Sequence, residues 1–272
     1  MTALKGRSRY GMVLAPEGVY LSARLENRPV FAAINQPIRL SPCIWILTAC
    51  VAVSQLAAAQ APPAPMVPAS RFVVVLDAAH GGDDPGGRLK GQEEKAFTLA
   101  LSVRLRSLLA ARGIQVLTTR ESDTNVDVNR RAEIANHANA QACLSLHGSE
   151  SGSGVHLFVS NMAPVQPARF APWKTAQAAW VTRSLALAST LNSALLHAGM
   201  SVTLGRTALP VVDSMTCPAV AVEIAPERDA GKKLVAGLDD PGYQAQVAEI
   251  LAAALLEWRT TDAWRTPEVH QP

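Results

Sequence analysis

The stretch Phe72-Val73-Val74-Val75-Leu76-Asp77-Ala78-Ala79-His80-Gly81-Gly82-Asp83-Asp84-Pro85-Gly86-Gly87 decides how the rest of the chain is read. Phe72 to Leu76 is a short, Val-rich apolar run bounded by Gly and Pro, the pattern of a strand buried on both faces. Asp77, two alanines and His80 follow it. The glycines after His80 let the backbone bend sharply and come close to a ligand. A histidine on such a bend, at the C-terminal end of a strand, stands where open α/β sheets hold their ligands. Taken alone, His80 is as consistent with a solvated loop as with a ligand.

Downstream the same alternation repeats. Phe97, Leu101, Leu105, Leu108 and Leu109 recur at helical spacing, and Gly113 is a stop signal. Ile114–Thr119 reads as a strand, Val128–Asn139 as a helix, Gln141–His147 as a strand ending in a second histidine, and Val155–Val159 as a strand. A long helix is expected from about Thr175 to His197 and a short extended piece at Leu209–Val212. Pro218–Ile224 is a core strand, and a last helix spans about Tyr243 to Arg259. Strands alternating with helices predict an α/β sheet with helices on its faces, and the expected class is a single three-layer domain with a mixed, mostly parallel sheet flanked by helices.

The first part of the chain reads differently. Arg39 precedes an apolar core, Leu40 to Val53, then Ala57-Ala58-Ala59-Gln60-Ala61 and Pro62-Pro63. A positive flank, a short apolar core and an Ala-x-Ala site form a secretory signal peptide, with cleavage expected after Ala59. An uncleaved anchor is the alternative. Leu47-Thr48-Ala49-Cys50 also resembles the lipobox of bacterial lipoproteins, which offers lipid attachment at Cys50. The expected organisation is therefore an unassigned extension over 1–38, a signal peptide over 39–59, a Pro/Ala-rich linker over 60–70, the folded domain over 71–262 and a loose tail over 263–272. Export places the domain in the periplasm or cell envelope, with membrane contact only if the leader is retained or lipidated.

Charge narrows the function. The formal net charge of the 272 residues is +3, but residues 1–59 hold 6 of the 25 basic groups and only 2 of the 22 acidic ones. The remainder is close to neutral, and aromatics are only 5%. Nucleic-acid binding loses both its electrostatic and its stacking basis. Of the four cysteines, Cys43 and Cys50 lie in the leader, so Cys143 and Cys217 are left. They could form one bridge in an oxidising compartment. Cys143 lies in an apparent buried strand, and two unpaired thiols are the favoured expectation.

Three core strands end in His80, His147 and Glu223, and one helix opens with Glu94. Two neutral imidazoles and a carboxylate, His80, Glu94 and His147, leave one position open on a single zinc ion for water. Such a site also needs a carboxylate that does not ligate, to carry a proton from the water to a leaving amine. Glu223, at the end of an apolar strand, fits, because a charge there is costly without a partner or a purpose.

These residues resemble the zinc-dependent N-acetylmuramoyl-L-alanine amidases of bacterial cell walls, the amidase-3 type. The family's apolar strand leading into His-Gly-Gly-x-Asp-Pro-Gly resembles Val73 to Gly86, although Ala78-Ala79 replace the usual Pro-Gly. Glu94-Lys95, Thr119-Arg120, Arg131 to Asn136, Leu144 to His147 and Pro218 to Glu223 follow in the family's order. The resemblance covers about Arg71 to Leu256. It implies zinc ligation by His80, Glu94 and His147, with Glu223 as the catalytic carboxylate. It also implies the substrate, the amide between the lactyl group of N-acetylmuramic acid and L-alanine of the peptidoglycan stem peptide. A regulatory activator protein is a further implied partner. Glu93 competes with Glu94, and the family pattern selects the glutamate immediately before the lysine.

Two departures touch the substrate groove. His147-Gly148-Ser149 replaces His-Ala-Asn, and Ile224-Ala225-Pro226-Glu227-Arg228 replaces Gly-Phe-x-x-Asn after Glu223. They keep two other readings open, a wall-binding module without turnover and a zinc peptidase or amidase acting on a different amide. Asn161–Trp173 is the expected groove edge. Asp77 is a candidate acceptor orienting His80, or a loop cap, and Arg131 a structural hydrogen-bond donor. Asp83 and Asp84 read as solvated turn residues, and His156 as a packed or surface histidine. His137, His197 and His270 receive no role.

Overall fold

The computed structural model describes residues 71–166 and 172–261. The extension, signal peptide, linker, Cys50 and the tail from 263 lie outside the described residues, as do positions 167–171 of the expected groove edge.

The apolar run becomes β1 (Val73–Ala78), the second strand of a six-stranded sheet, while β2 (Arg88–Leu89) and β3 (Gln92–Glu93) pair as a short hairpin outside it. The neighbours of β1 are β4 (Gln115–Thr118) and β5 (Ala142–Gly148), both parallel to it. Then come β8 (Ala219–Ile224), β6 (Val155–Ser160) and β7 (Val202–Thr207), giving the order β4-β1-β5-β8-β6-β7. Within this sheet only the β6–β8 pair is antiparallel, so the sheet is mixed and mostly parallel, as expected.

Side-chain alternation divides the core. Val74 and Leu76 join one buried cluster with Phe97, Leu101 and Leu105 of α1 (Glu94–Ala111). Leu187 and Leu191 of α3 (Val181–His197), and Leu251 and Trp258 of α5 (Pro241–Thr260), complete that layer. Val73 and Val75 face the other way, into a smaller cluster. There they meet Ala132 and Ala135 of α2 (Val128–His137) and Val212 of α4 (Pro210–Asp213). Burial on both faces explains the continuous Val-rich run. Among the described residues, no helix is long and apolar enough to cross a membrane.

The structure departs from the sequence expectations in several places. Leu209–Val212 is not extended. Pro210 opens the short helix α4, because its fixed φ and missing N–H suit a first helical turn. β7 is an edge strand with mostly exposed side chains, so it lacks the apolar signature that marks the inner strands. A 3-10 helix, Trp173–Ala179, precedes α3 in place of one continuous helix. Cys143 and Cys217 are joined in a disulfide, against the expectation of free thiols. The strand order supplies the reason. Cys143 is in register with Ala219 on the adjacent strand, and Cys217 lies two residues before it, on the same face.

Candidate active site

The site grows from the C-terminal end of β1. Gly81 and Asp84 close a tight loop by exchanging backbone hydrogen bonds of 2.9 and 3.2 Å. This loop holds His80 at a φ of 62°, a left-handed conformation that is uncommon for a residue with a side chain. The strain fixes the direction of the imidazole. His80 Nδ1 lies 2.8 Å from Asp84 Oδ2, and Nε2 lies 3.1 Å from Glu94 Oε2. Asp84 therefore orients the ring and is not merely a solvated turn residue. Gly86 is required beside it, since a Cβ there would stand 2.5 Å from the His80 ring and 2.8 Å from Glu94 Oε2.

Glu94 is the first residue of α1, where a carboxylate faces the positive end of the helix. Its Oε1 accepts from the Gly148 backbone N–H at 3.1 Å and lies 3.0 Å from His147 Nδ1. Its Oε2 accepts from the Gly87 N–H at 2.8 Å. Burial alone would raise the Glu94 pKa. Hydrogen bonds from His147, His80 and the two amides outweigh it and hold the carboxyl well below the usual carboxylate range. Glu93 turns away towards Lys95 Nζ, 3.5 Å distant.

His147 completes the group from the end of β5. One nitrogen or oxygen from each of His80, Glu94 and His147 lies within 4.8 Å of the others. Two imidazoles and a carboxylate held in its anionic form fit a divalent zinc ion by donor chemistry.

Beneath this group, two buried arginines grip the turn. Arg131 donates to the carbonyls of Ala78 (2.6 Å), His80 (2.6 Å) and Val126 (2.8 Å), and pairs with Asp77 Oδ1 at 2.8 Å. Asp77 also accepts from Thr119 and Ser145 at 2.8 and 2.7 Å. Its carboxylate is thus committed to Arg131 and two hydroxyls, and the acceptor facing the His80 ring is Asp84. Arg120 donates to the carbonyls of Ala78, Ala79 and Lys95. Sequence reasoning noted Arg120 only within a motif. It stands at the start of a polar loop, and nothing in the local sequence signals its role.

Glu223 lies near the end of β8, in register with His147 on β5, so the two side chains leave the same face of the sheet. It is half-buried, and among the described residues its carboxylate has no hydrogen bond or ion pair. His156 is its register partner on the other side, with Nδ1 2.5 Å from Thr203 Oγ1. A cleft of about 500 Å³ opens beside His80 and His147, walled by Asn125–Val128 and Val211.

The two departures from the family pattern have visible causes. A Cβ at Gly148 would lie 2.8 Å from the Phe97 ring, which leaves no room for alanine at this position. After Glu223, Ile224 enters the core, and Ala225 is held by the Tyr243 hydroxyl at 2.7 Å. The chain then forms a hairpin of β9 (Glu227–Arg228) and β10 (Leu234–Ala236).

Comparison with known proteins agrees with this architecture. The sporulation-specific N-acetylmuramoyl-L-alanine amidase of Bacillus subtilis is 36% identical over 89 residues, which cover 32% of this chain and 35% of that protein. Escherichia coli AmiA, an N-acetylmuramoyl-L-alanine amidase, is 43% identical over 77 residues, 28% of this chain and 26% of that one. The matched stretches span well under half of these relatives. Among solved structures, the catalytic domain of CwlV, an amidase of the same name from Bacillus (Paenibacillus) polymyxa, superposes with a TM-score of 0.55 at 24% identity. That match covers 69% of this chain and 98% of that domain. An N-acetylmuramoyl-L-alanine amidase from Clostridium difficile 630 gives 0.56 at 22% identity, covering 71% and 99%. At these identities the likeness is one of fold. The family model described as Amidase_3, N-acetylmuramoyl-L-alanine amidase, matches residues 74–257, from the first core strand to the last helix, and the chain belongs to that family.

Proposed function

We propose that this chain is a zinc-dependent N-acetylmuramoyl-L-alanine amidase. On this reading it hydrolyses the amide between N-acetylmuramic acid and L-alanine in peptidoglycan. The observation that carries the proposal is the convergence of His80, Glu94 and His147 within 4.8 Å, with Glu223, which has no partner among the described residues, in register beside His147.

His80, Glu94 and His147 would hold the zinc, which when bound lowers the pKa of a water and polarises a carbonyl oxygen. The residues of the chain have separate tasks. Asp84 holds the His80 ring by its Nδ1 and leaves Nε2 facing Glu94. The Gly87 and Gly148 amides hold the two Glu94 oxygens in place. Glu223 takes the proton of the attacking water and delivers it to the amide nitrogen as the C–N bond breaks. The products are the lactyl carboxylic acid and a peptide with a free L-alanine amine.

The same reading places the protein outside the cytoplasm, in wall remodelling, daughter-cell separation or wall recycling, as a domain over 71–262 behind a cleaved leader. A regulatory partner is part of the proposal. A solved neighbour, the CwlD amidase from Clostridioides difficile, is in complex with the GerS lipoprotein. The test is mass spectrometry of products from purified muropeptides, with and without a chelator. Free peptides starting at L-alanine are expected with zinc and absent with the chelator. Intact muropeptides under zinc would leave a binding module of the same fold, and cleavage of simple peptides instead would indicate a different amide.

A further inference from the structure

A second cleft lies at the same end of the sheet, on the β6–β7 side of Glu223. Its volume is about 790 Å³, and it is lined by Gly152, Ser153 and Ser201 and by Arg228, Asp229 and Lys232 of the β9–β10 hairpin. Gly152 joins it to the site. A Cβ there would stand 2.3 Å from His156 Nε2, and His156 is the register partner of Glu223. Arg228 is five residues from Glu223, no more than about 17 Å along an extended chain.

The charge of this cleft differs from that of the first. Asp229 is occupied within the turn, its Oδ1 accepting from the Lys233 N–H at 2.9 Å. The neighbouring Glu227 turns inward, where Oε1 receives the Ser201 hydroxyl at 2.6 Å and Oε2 is shielded from solvent. Arg228 makes one long bond, 3.4 Å, to the Lys232 carbonyl, and neither Arg228 nor Lys232 has an ion-pair partner among the described residues. Lys232 is held at a φ of 64° by its N–H bond to the Asp229 carbonyl, 2.8 Å long. Two cations and one carboxylate, Asp229, therefore line an open cleft, a net positive balance. The first cleft carries Asp84 and Asp127, besides the Asp77–Arg131 pair. A divalent ion on the histidines would be more than balanced there by Glu94 and those two aspartates.

We propose that the Arg228–Lys232 cleft binds the carboxylates of the peptide half of the substrate. The inference rests on the amidase reading for the identity of that peptide. The two halves of the scissile amide differ in charge. The acyl side is an N-acetylated sugar bearing a lactyl group, which is uncharged while bonded. The amine side is a peptide that ends in at least one free carboxylate. Guanidinium and ammonium groups recognise carboxylates by charge-assisted hydrogen bonds. The acidic first cleft repels the peptide and suits the neutral sugar. Glu223, between the two clefts, stands where sugar and peptide meet. The hairpin occupies the segment that departs from the family pattern after Glu223, so this preference belongs to this chain's own sequence.

The experiment compares L-alanyl-glutamate with its diamide, titrated onto the full domain by calorimetry or NMR. The wild-type protein is expected to bind the free-carboxylate form about five- to tenfold more tightly, as two partly exposed ion pairs allow. In the double variant R228Q/K232Q that preference falls towards one. R228K, which keeps the charge, retains most of it and so separates charge from folding. No preference in the wild type, or the same preference in the double variant, overturns the proposal. A preference that is present and removed by R228Q/K232Q, in a protein that cleaves no muropeptide, leaves the anion site standing and overturns the amidase reading instead.

Discussion

Glu223 and His147 are register partners on adjacent parallel strands, one offering a carboxylate with no partner among the described residues and the other an imidazole already committed to Glu94. This division gives Glu223→Gln a defined outcome. Turnover of muropeptides should fall by about 10²- to 10⁴-fold, the usual worth of a positioned proton carrier. Zinc content by elemental analysis should stay at the wild-type level. A variant that lost its metal would show Glu223 to be a ligand.

His80→Ala and His147→Ala should behave in the opposite way. Each removes one donor of the trio, so both metal content and activity should drop together. Zinc should also raise the thermal midpoint of the wild-type protein, because an ion that binds only the folded state stabilises it by mass action. Scanning calorimetry with and without zinc reads this directly, and the variants should lose the increment.

Gly86→Ala should damage the site more than the fold. The added methyl lies within 3 Å of both the His80 ring and Glu94, and the backbone there has a φ of 67°. Zinc affinity is expected to fall at least tenfold, with the far-ultraviolet dichroism unchanged. Normal affinity would mean that His80 has room to move.

Arg131→Met leaves Asp77 as a buried charge with only hydroxyl partners. Breaking one side of such a pair costs about 3–5 kcal/mol, and the urea midpoint should shift accordingly. Asp77→Asn together with Arg131→Met should recover part of that loss, which a double-mutant cycle would measure.

Removing the Cys143–Cys217 bond by a pair of serines should cost about 2–5 kcal/mol, given the long loop it closes. Equal unfolding midpoints under oxidising and reducing conditions would contradict the bond.

The alternation of apolar runs and helical spacings was enough to read the layered α/β fold, because the inner strands are buried on both faces. The edge strand β7 was not legible, since Thr203, Arg206 and Thr207 face solvent and carry no apolar signature. The trio His80, Glu94 and His147, which could hold a metal ion, was legible because each member stands at or just beyond the end of an element. Asp84 and Arg120 could not, because their roles depend on how the loop folds back on itself. Asp84 is tied to His80 by a backbone closure that local sequence does not reveal, and Arg120 reaches three carbonyls contributed by two distant segments. The disulfide was missed for a similar reason, since 74 positions separate two residues that strand order makes neighbours.

That cross-link has a consequence for alignment. β5 and β8 are the strands that bring His147 and Glu223 side by side, and Cys143 and Cys217 tie the same two strands at their opposite ends. Sliding one strand past the other by a single residue would turn its outward side chains inward. His147 would then point among the leucines, or Glu223 would be sealed beneath the helices. A covalent rung across the pair forbids that slip, so the spacing between the two groups is locked from the far end of the strands.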